Sequence, residues 1–496
     1  MVKHLDPKLQ SGGNSSFPKF GFLTIVLGCF CVLLIITVYV WIISAGSFTE
    51  WRTPSAYYYR LAQSFDNGRL YLQENIDSRL LTLTDPYEST DFRNSIPFPW
   101  DASFYNGKFY LYWGPAPALI LSLIIPFYAG QIGDHYVLFG FLVGLLFFNI
   151  LILKSVWEDF FKTLPAWMFL VCILLVGLVN PIPWILNRHA VYEAAVAGGQ
   201  FFFVGGLYWV YSAFRRPLLS RWRLVTAGVF WTLAFGSRMV LILPIAFMVC
   251  LTWLGIIWTR GKTSSATQSF LSCAAIGLPI LLGGIATGWY NWSRFGSIFE
   301  FGLRYQLNDT NLNKYFGDVF SGSYIYSNFY NYMFARSFKI SGIFPFIKAR
   351  AGKSLLGNGV AHQGIYQVHG IEGLLIVFPF VIFAIIPALI MVITLIRRRR
   401  KHQDSLDIDH FPPIYVFGLV IGSILGFLPA LFFFWVDMRY MFDFVPELVL
   451  LAILGFWQSY LYLSRRPVIR SLVLVFGLGL ASFSVLISVL LAAPRP

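Results

Sequence analysis

The chain is predicted to be an all-α polytopic membrane protein of about 11 transmembrane helices, with a juxtamembrane helix and two large outer loops, one carrying a small β-hairpin. Three observations predict this. Hydrophobic residues fill 57% of the 496 positions and charged residues 12%, about half the charged share of an average soluble domain, with a mean hydropathy of +0.66. Apolar runs of about 20 residues, the length of a bilayer crossing, recur from one end of the sequence to the other. The Lys and Arg behind the net charge of +14 sit in short clusters between those runs, as cytoplasmic loops do. That distribution leaves no continuous basic face for nucleic acid, so no such partner is expected. The five cysteines all lie inside apolar runs without metal-ligand spacing and read as packing residues.

The elements follow in order. Residues 1–19, with Lys3, Lys8 and Lys19, form a cytoplasmic N-terminus, and 20–46 is a first span too long for a signal-peptide core. Further spans fall near 135–153, 165–186, 190–214, 222–236, 238–258, 268–292, 372–396, 412–435, 444–463 and 469–492. The domains are then an outer loop at 47–134, helices 2–7 within 135–292, a second outer loop at 293–371 and helices 8–11 within 372–496. The run 115–129 is short and broken by Pro115, Pro117 and Pro126. If it crossed, the basic cluster Arg215–Arg223 would land outside; if it lies along the outer face, the clusters at Arg215–Arg223, Arg260–Lys262, Arg397–Lys401 and Arg465–Arg470 all land inside. A plasma (inner) membrane location with a cytoplasmic N-terminus is the expectation.

Within the first loop, Pro54–Phe65 has helical spacing and stops at Asp66-Asn67-Gly68, after which Arg69–Leu72 is extended. Ala102–Tyr105 and Lys108–Tyr112 alternate around Asn106-Gly107, a two-residue hairpin signal. Pro115 can open a juxtamembrane helix, because a first turn does not need its missing N–H. The stretch Pro97–Pro117 is therefore an aromatic-rich element that holds one carboxylate, Asp101, at the membrane surface.

Charged groups at a membrane boundary are costly and mark candidate sites. On the outer face these are Glu50 directly after the first span, Asp85 and Asp101 in the first loop, Arg188, His189 and Glu193 in the turn N-R-H-A-V-Y-E, Arg238 between two spans, and Asp437, Arg439 and Asp443 in W-V-D-M-R-Y-M-F-D-F. One shared outer cavity accounts for them economically. A carboxylate at its mouth, Asp101 or Glu50, can take a proton from an acceptor hydroxyl. Arg188, Arg238 and Arg439 offer bidentate, permanently charged donors to a phosphate or diphosphate, and aromatics such as Tyr440 offer faces to sugar rings. The plain alternative is that Arg and Asp across two spans form structural pairs, as Asp437 and Arg439 would, and that His189 is hydrogen-bonded filler. A divalent cation held by carboxylates is the one cofactor left open. No Walker pattern, nucleophile elbow or H-E-x-x-H is present, which argues against ATP-driven transport and soluble-type hydrolysis.

The segments A-Y-Y-Y-R-L-A-Q-S-F-D-N-G-R-L-Y-L, W-D-A-S-F-Y-N-G-K-F-Y-L-Y-W-G-P-A-P-A-L, N-W-S-R-F-G-S-I-F-E-F-G-L-R-Y-Q-L and M-R-Y-M-F-D-F, set on this topology, resemble the GT-C superfamily of membrane glycosyltransferases. The similarity is to the branch holding protein O-mannosyltransferases and the lipid A aminoarabinose transferase. The resemblance implies a polyprenyl-phosphate-linked sugar donor, a glycan, lipid or protein acceptor, inverting transfer of a hexosyl or pentosyl group at the outer face, and an acidic first-loop residue as base or metal ligand. The family's Asp-Glu pair would fall near Glu50–Ala56, where this chain has Glu50 and then W-R-T-P-S-A. Glu50 alone or Asp101 would then be the base. Two other readings use the same features: a lipid-linked glycan transporter or flippase open to both faces, and a non-catalytic envelope-assembly scaffold.

Overall fold

The computed structural model describes residues 21–51, 55–128, 130–215, 218–260, 265–348, 365–400 and 412–494. The N-terminal lysines, Pro54 and parts of the basic clusters lie outside the described residues. Nine described helices are long and apolar enough to cross a membrane: Phe22–Ile43, Asp134–Phe161, Ala166–Arg188, Val191–Phe214, Met239–Trp258, Ala266–Phe295, Pro413–Phe432, Val445–Tyr462 and Pro467–Ala492. The other two expected spans are helical but less regular. Arg221–Ser237 has 17 residues, and the region after Gly373 is divided into Leu374–Val377, a tight turn of helix at Pro379–Ala384, and Ile385–Arg400. Pro379 explains the break, since it has no N–H to continue the ladder and forces the preceding Phe378 out of helical geometry.

The bundle has a centre and a rim. Ala166–Arg188 is 83% buried over its most apolar window and Val191–Phe214 and Val445–Tyr462 are each 72% buried, whereas Ala266–Phe295 is 11% buried and stands at the periphery. The central Ala166–Arg188 is interrupted where Val179 becomes extended before Pro181. The N–H of Asn180 freed there donates to Ser488 Oγ at 2.9 Å, so the break is satisfied by a side chain of the last span.

The two long inter-helix segments meet at one end of the bundle. The first contains the helix Tyr57–Asp66 and the antiparallel strands Ser103–Tyr105 and Lys108–Tyr110. Asn106 and Gly107, at φ +49° and +66°, turn between them as a primed hairpin turn requires. The helix Ala116–Ile124 follows directly from Pro115 and exposes Leu119, Leu123 and Ile124. The second segment runs alongside the first. Asp101 N–H donates to Leu307 O and Leu307 N–H to Ala102 O, both at 3.0 Å, Ser103 pairs with Gln306, and buried Arg294 donates to Leu111 O at 2.6 Å. Asp134, fully buried at the start of its span, accepts from Ser55 Oγ at 2.6 Å and from the N–H groups of Tyr57 and Tyr58 at 2.9 and 3.1 Å. It therefore caps the helix Tyr57–Asp66 from a different element, where Ala56 offers no side-chain acceptor.

Candidate functional site

The site forms where three pieces of chain converge: the turn before the first hairpin strand, the junction of Ile182–Arg188 with Val191–Phe214, and the stretch Asp437–Asp443 between two spans. Asp101 sits in left-handed backbone at φ +61°, a conformation Asp tolerates better than most residues. It is clamped from both loops, since its N–H is bonded to Leu307, its carbonyl accepts from Gln306 Nε2 at 3.2 Å, and the preceding Trp100 carbonyl accepts from Tyr57 Oη at 2.9 Å. Its carboxylate accepts the hydroxyl of Tyr192, in the first turn of Val191–Phe214. Burial pushes the Asp101 carboxyl above the ordinary range, while hydrogen bonds from Tyr192 and Asn308 and the field of Arg439 pull it back.

Three arginines lie in the same cluster, each matched to a carboxylate, and Arg439 is the one whose field reaches Asp101. Arg188 Nη1 meets Asp437 Oδ2 at 2.8 Å, Arg238 holds Asp443 in a fork at 2.7 and 3.1 Å, and Arg439 approaches Glu193 at 3.8 Å. The carboxylates of these pairs are at most 4% exposed, whereas the Arg188 side chain is 39% exposed. The ring of Tyr440 lies between two of the guanidinium groups, 5.2 Å from Arg238 and 5.2 Å from Arg439, and Arg439 also stacks over Tyr192 at 4.6 Å. Half-buried Tyr112 lies within the field of Asp101, Arg238, Arg439 and Tyr440. Asp437 is oriented by its own turn, accepting the Arg439 N–H at 3.0 Å, and Glu193 accepts the Ala190 N–H at 3.2 Å.

The structure thus gathers Asp101, Arg188, Glu193, Arg238, Asp437, Arg439 and Tyr440, and with them Asp443. It does not bring in the other three candidates. Glu50 is exposed in the turn after the first span, where its backbone bonds with Ser47. Asp85 accepts the Tyr87 N–H and, together with Glu88, the side-chain amide of Asn311 at 2.9 Å, so it fastens the two loops together. His189 carries the chain reversal at φ +23°, its ring against Leu186 O and 6.3 Å from that of His135. Burial lowers its pKa, against backbone hydrogen bonds with Leu186 and Asn187 that raise it.

Sequence reasoning missed Tyr192, Tyr112 and His369. His369 stacks on Trp435 at 4.2 Å, lies within the field of Asp437, Arg188 and Arg439, and has its pKa lowered by burial. It also missed Asp134, whose buried carboxylate, on another element, accepts from Ser55 Oγ.

The cluster holds four carboxylates against three guanidinium groups, so it is not a cationic basket. Among the described residues, no three His, Cys, Asp or Glu side chains converge as a metal-binding group. The carboxylates here are already engaged by arginine or tyrosine, a donor set that does not fit a divalent cation.

No protein-family model matches the chain, and no curated protein sequence matches it. Among solved structures, the chain is similar to the crystal structure of the Archaeoglobus fulgidus oligosaccharyltransferase in the apo form, with a TM-score of 0.53 at 14% identity over 97% of this chain. The match takes in 57% of that protein, so this chain spans little more than half its length. The likeness is one of fold. The described residues form a multi-pass helical membrane protein that shares its fold with part of that oligosaccharyltransferase.

Proposed function

We propose that the protein is a membrane glycosyltransferase that moves a sugar from a polyprenyl-phosphate-linked donor to an acceptor hydroxyl at the extracytoplasmic face of the inner membrane. The observation that carries this reading is Asp101, a carboxylate held between both loops and beside Tyr192 and Arg439, on a GT-C fold. The cytoplasmic N-terminus and the outward placing of both loops follow from the basic clusters in the sequence.

In this reading the Asp101 carboxylate removes the proton of the acceptor hydroxyl. The resulting oxygen attacks the anomeric carbon, the bond from that carbon to the donor phosphate oxygen breaks, and the phosphate leaves with the electron pair. Inversion at the anomeric carbon follows from a single displacement. A raised pKa makes Asp101 a stronger base than a solvated carboxylate. Arg188, the most exposed of the three guanidinium groups, still has donors beyond its bond to Asp437 and is the contact for the leaving phosphate. Arg238 and Arg439 orient that wall through their carboxylates and Tyr440. The segment 293–371 supplies acceptor contacts.

The test is transfer from a radiolabelled polyprenyl-phosphate sugar by the purified protein. Asp101→Asn is expected to lower turnover by roughly 100-fold or more, the scale of general-base catalysis, while Glu50→Gln retains it. Full turnover by Asp101→Asn would remove Asp101 from the chemistry. Absence of turnover with every donor, together with donor movement across the bilayer, would favour a flippase.

A further inference from the structure

The helix Ile325–Phe334, whose Tyr332 reaches Asp437 and Tyr440, is inverted relative to an ordinary surface helix. Ser327, Asn328, Asn331 and Tyr332 are buried, while Tyr326 is 73% exposed and Phe329 and Phe334 are also exposed. The buried amides have a use. Asn328 Nδ2 donates to Ala430 O and Leu431 O at 3.0 Å and to Phe433 O at 2.8 Å, satisfying carbonyls at the C-terminal end of Pro413–Phe432. The helix therefore lies across the end of a span with its apolar face outward, continuous with that span through the Phe329–Phe427 ring contact at 6.5 Å.

The chain beyond it is fixed at the same level. Ser337 donates through N–H and Oγ to buried Glu372, at 2.9 and 2.5 Å, and Gly373 N–H donates to Ala335 O at 2.6 Å, just before Leu374–Val377. The strand pair Lys339–Ile340 and Ile347–Lys348 then closes in a tip where Ile340 is 75% and Ile343 68% exposed, with Phe344 and Phe346 exposed beside them. The Phe344 ring lies 6.4 Å from Trp41, near the end of the first span. Three span ends thus meet this surface. From Val319 to Lys348 the sequence holds no Asp or Glu but has Arg336, Lys339 and Lys348. A patch this apolar is poorly suited to water, and exposed aromatics with basic neighbours are what a bilayer boundary selects.

We propose that residues 325–348 form a monotopic element seated in the leaflet on the loop side, with its apolar side chains at the acyl boundary and Arg336 and Lys339 on anionic phospholipid headgroups. This does not depend on the glycosyltransferase reading. The test uses the full chain with p-benzoylphenylalanine in place of Ile343, or of Asn67 as a water-exposed control, in vesicles of equimolar phosphatidylcholine and phosphatidylglycerol. Irradiation is expected to give lipid adducts at 343 and none at 67, with phosphatidylglycerol favoured by roughly fivefold per basic side chain. Arg336→Glu/Lys339→Glu, or the milder Arg336→Gln/Lys339→Gln, should abolish or reduce that preference while adducts persist. Adducts to a second copy of the protein, no adducts at 343, or equal capture of the two lipids would overturn the proposal.

Discussion

Tyr192 donates its hydroxyl to the carboxylate of Asp101, 91 positions earlier in the chain, and carries the Arg439 guanidinium on its ring 4.6 Å away. One side chain therefore connects the loop carboxylate to the arginine of the stretch between Pro413–Phe432 and Val445–Tyr462.

Removing that hydroxyl has a signed effect on pH dependence. The raised Asp101 carboxyl must be ionised to act as a base, so turnover rises with pH through its pKa. The Tyr192 bond stabilises the ionised form, so Tyr192→Phe should move the acid limb of the pH–rate profile to higher pH, with the largest loss on the acid side. An unmoved limb would separate Tyr192 from the titrating group. The linked effect on stability has the opposite sense: the contribution of Asp101 is full below its unfolded pKa and is lost as pH rises through the higher folded one.

Arg238, half-buried, forks onto the buried carboxylate of Asp443. Arg238→Ala leaves Asp443 desolvated and alone, at a cost of about 3–5 kcal/mol. Scanning fluorimetry in detergent should show a clear drop in Tm for Arg238→Ala and partial recovery in Arg238→Ala/Asp443→Ala. Equal losses in the single and double variants would mean that the pair is not coupled.

Gly426 faces the backbone carbonyl of Asp443 so closely that a Cβ there would collide with it. Gly426→Ala should displace the 438–443 turn and lower turnover severalfold without changing the loop hairpin. Gly284, with open space around its Cβ position, is the matched control: Gly284→Ala should leave turnover unchanged.

Asp134→Ala removes the external cap of Tyr57–Asp66, worth about 1–2 kcal/mol. Limited proteolysis should cut this variant faster between Tyr57 and Arg69 than the parent. Equal cleavage rates would show that the helix does not need the cap.

The elements with local punctuation were legible in the sequence. Asn106-Gly107 and Pro115 each announce a turn or a helix start through their own backbone, and the hairpin and the helix Ala116–Ile124 stand there. The arginines and carboxylates of 188–193 and 437–443 were legible because charge at a span end is conspicuous. Which of them pair was not, since Arg188 and Asp437 meet only through tertiary packing. Tyr192 stayed hidden because a tyrosine at a span end looks like interfacial belt, and Asp134 because a carboxylate opening a span looks like ordinary dipole compensation. Asp85 and Glu50 show the converse: conspicuous loop carboxylates that the fold uses as a loop fastener and an exposed turn residue.

The bond between Arg188 and Asp437 joins positions 249 apart. In a chain made and inserted from its N-terminus, Arg188 and Arg238 enter the bundle long before the stretch that neutralises them exists. Until residues 437–443 are made, Arg188 and Arg238 therefore lack the carboxylates that hold them in the finished fold.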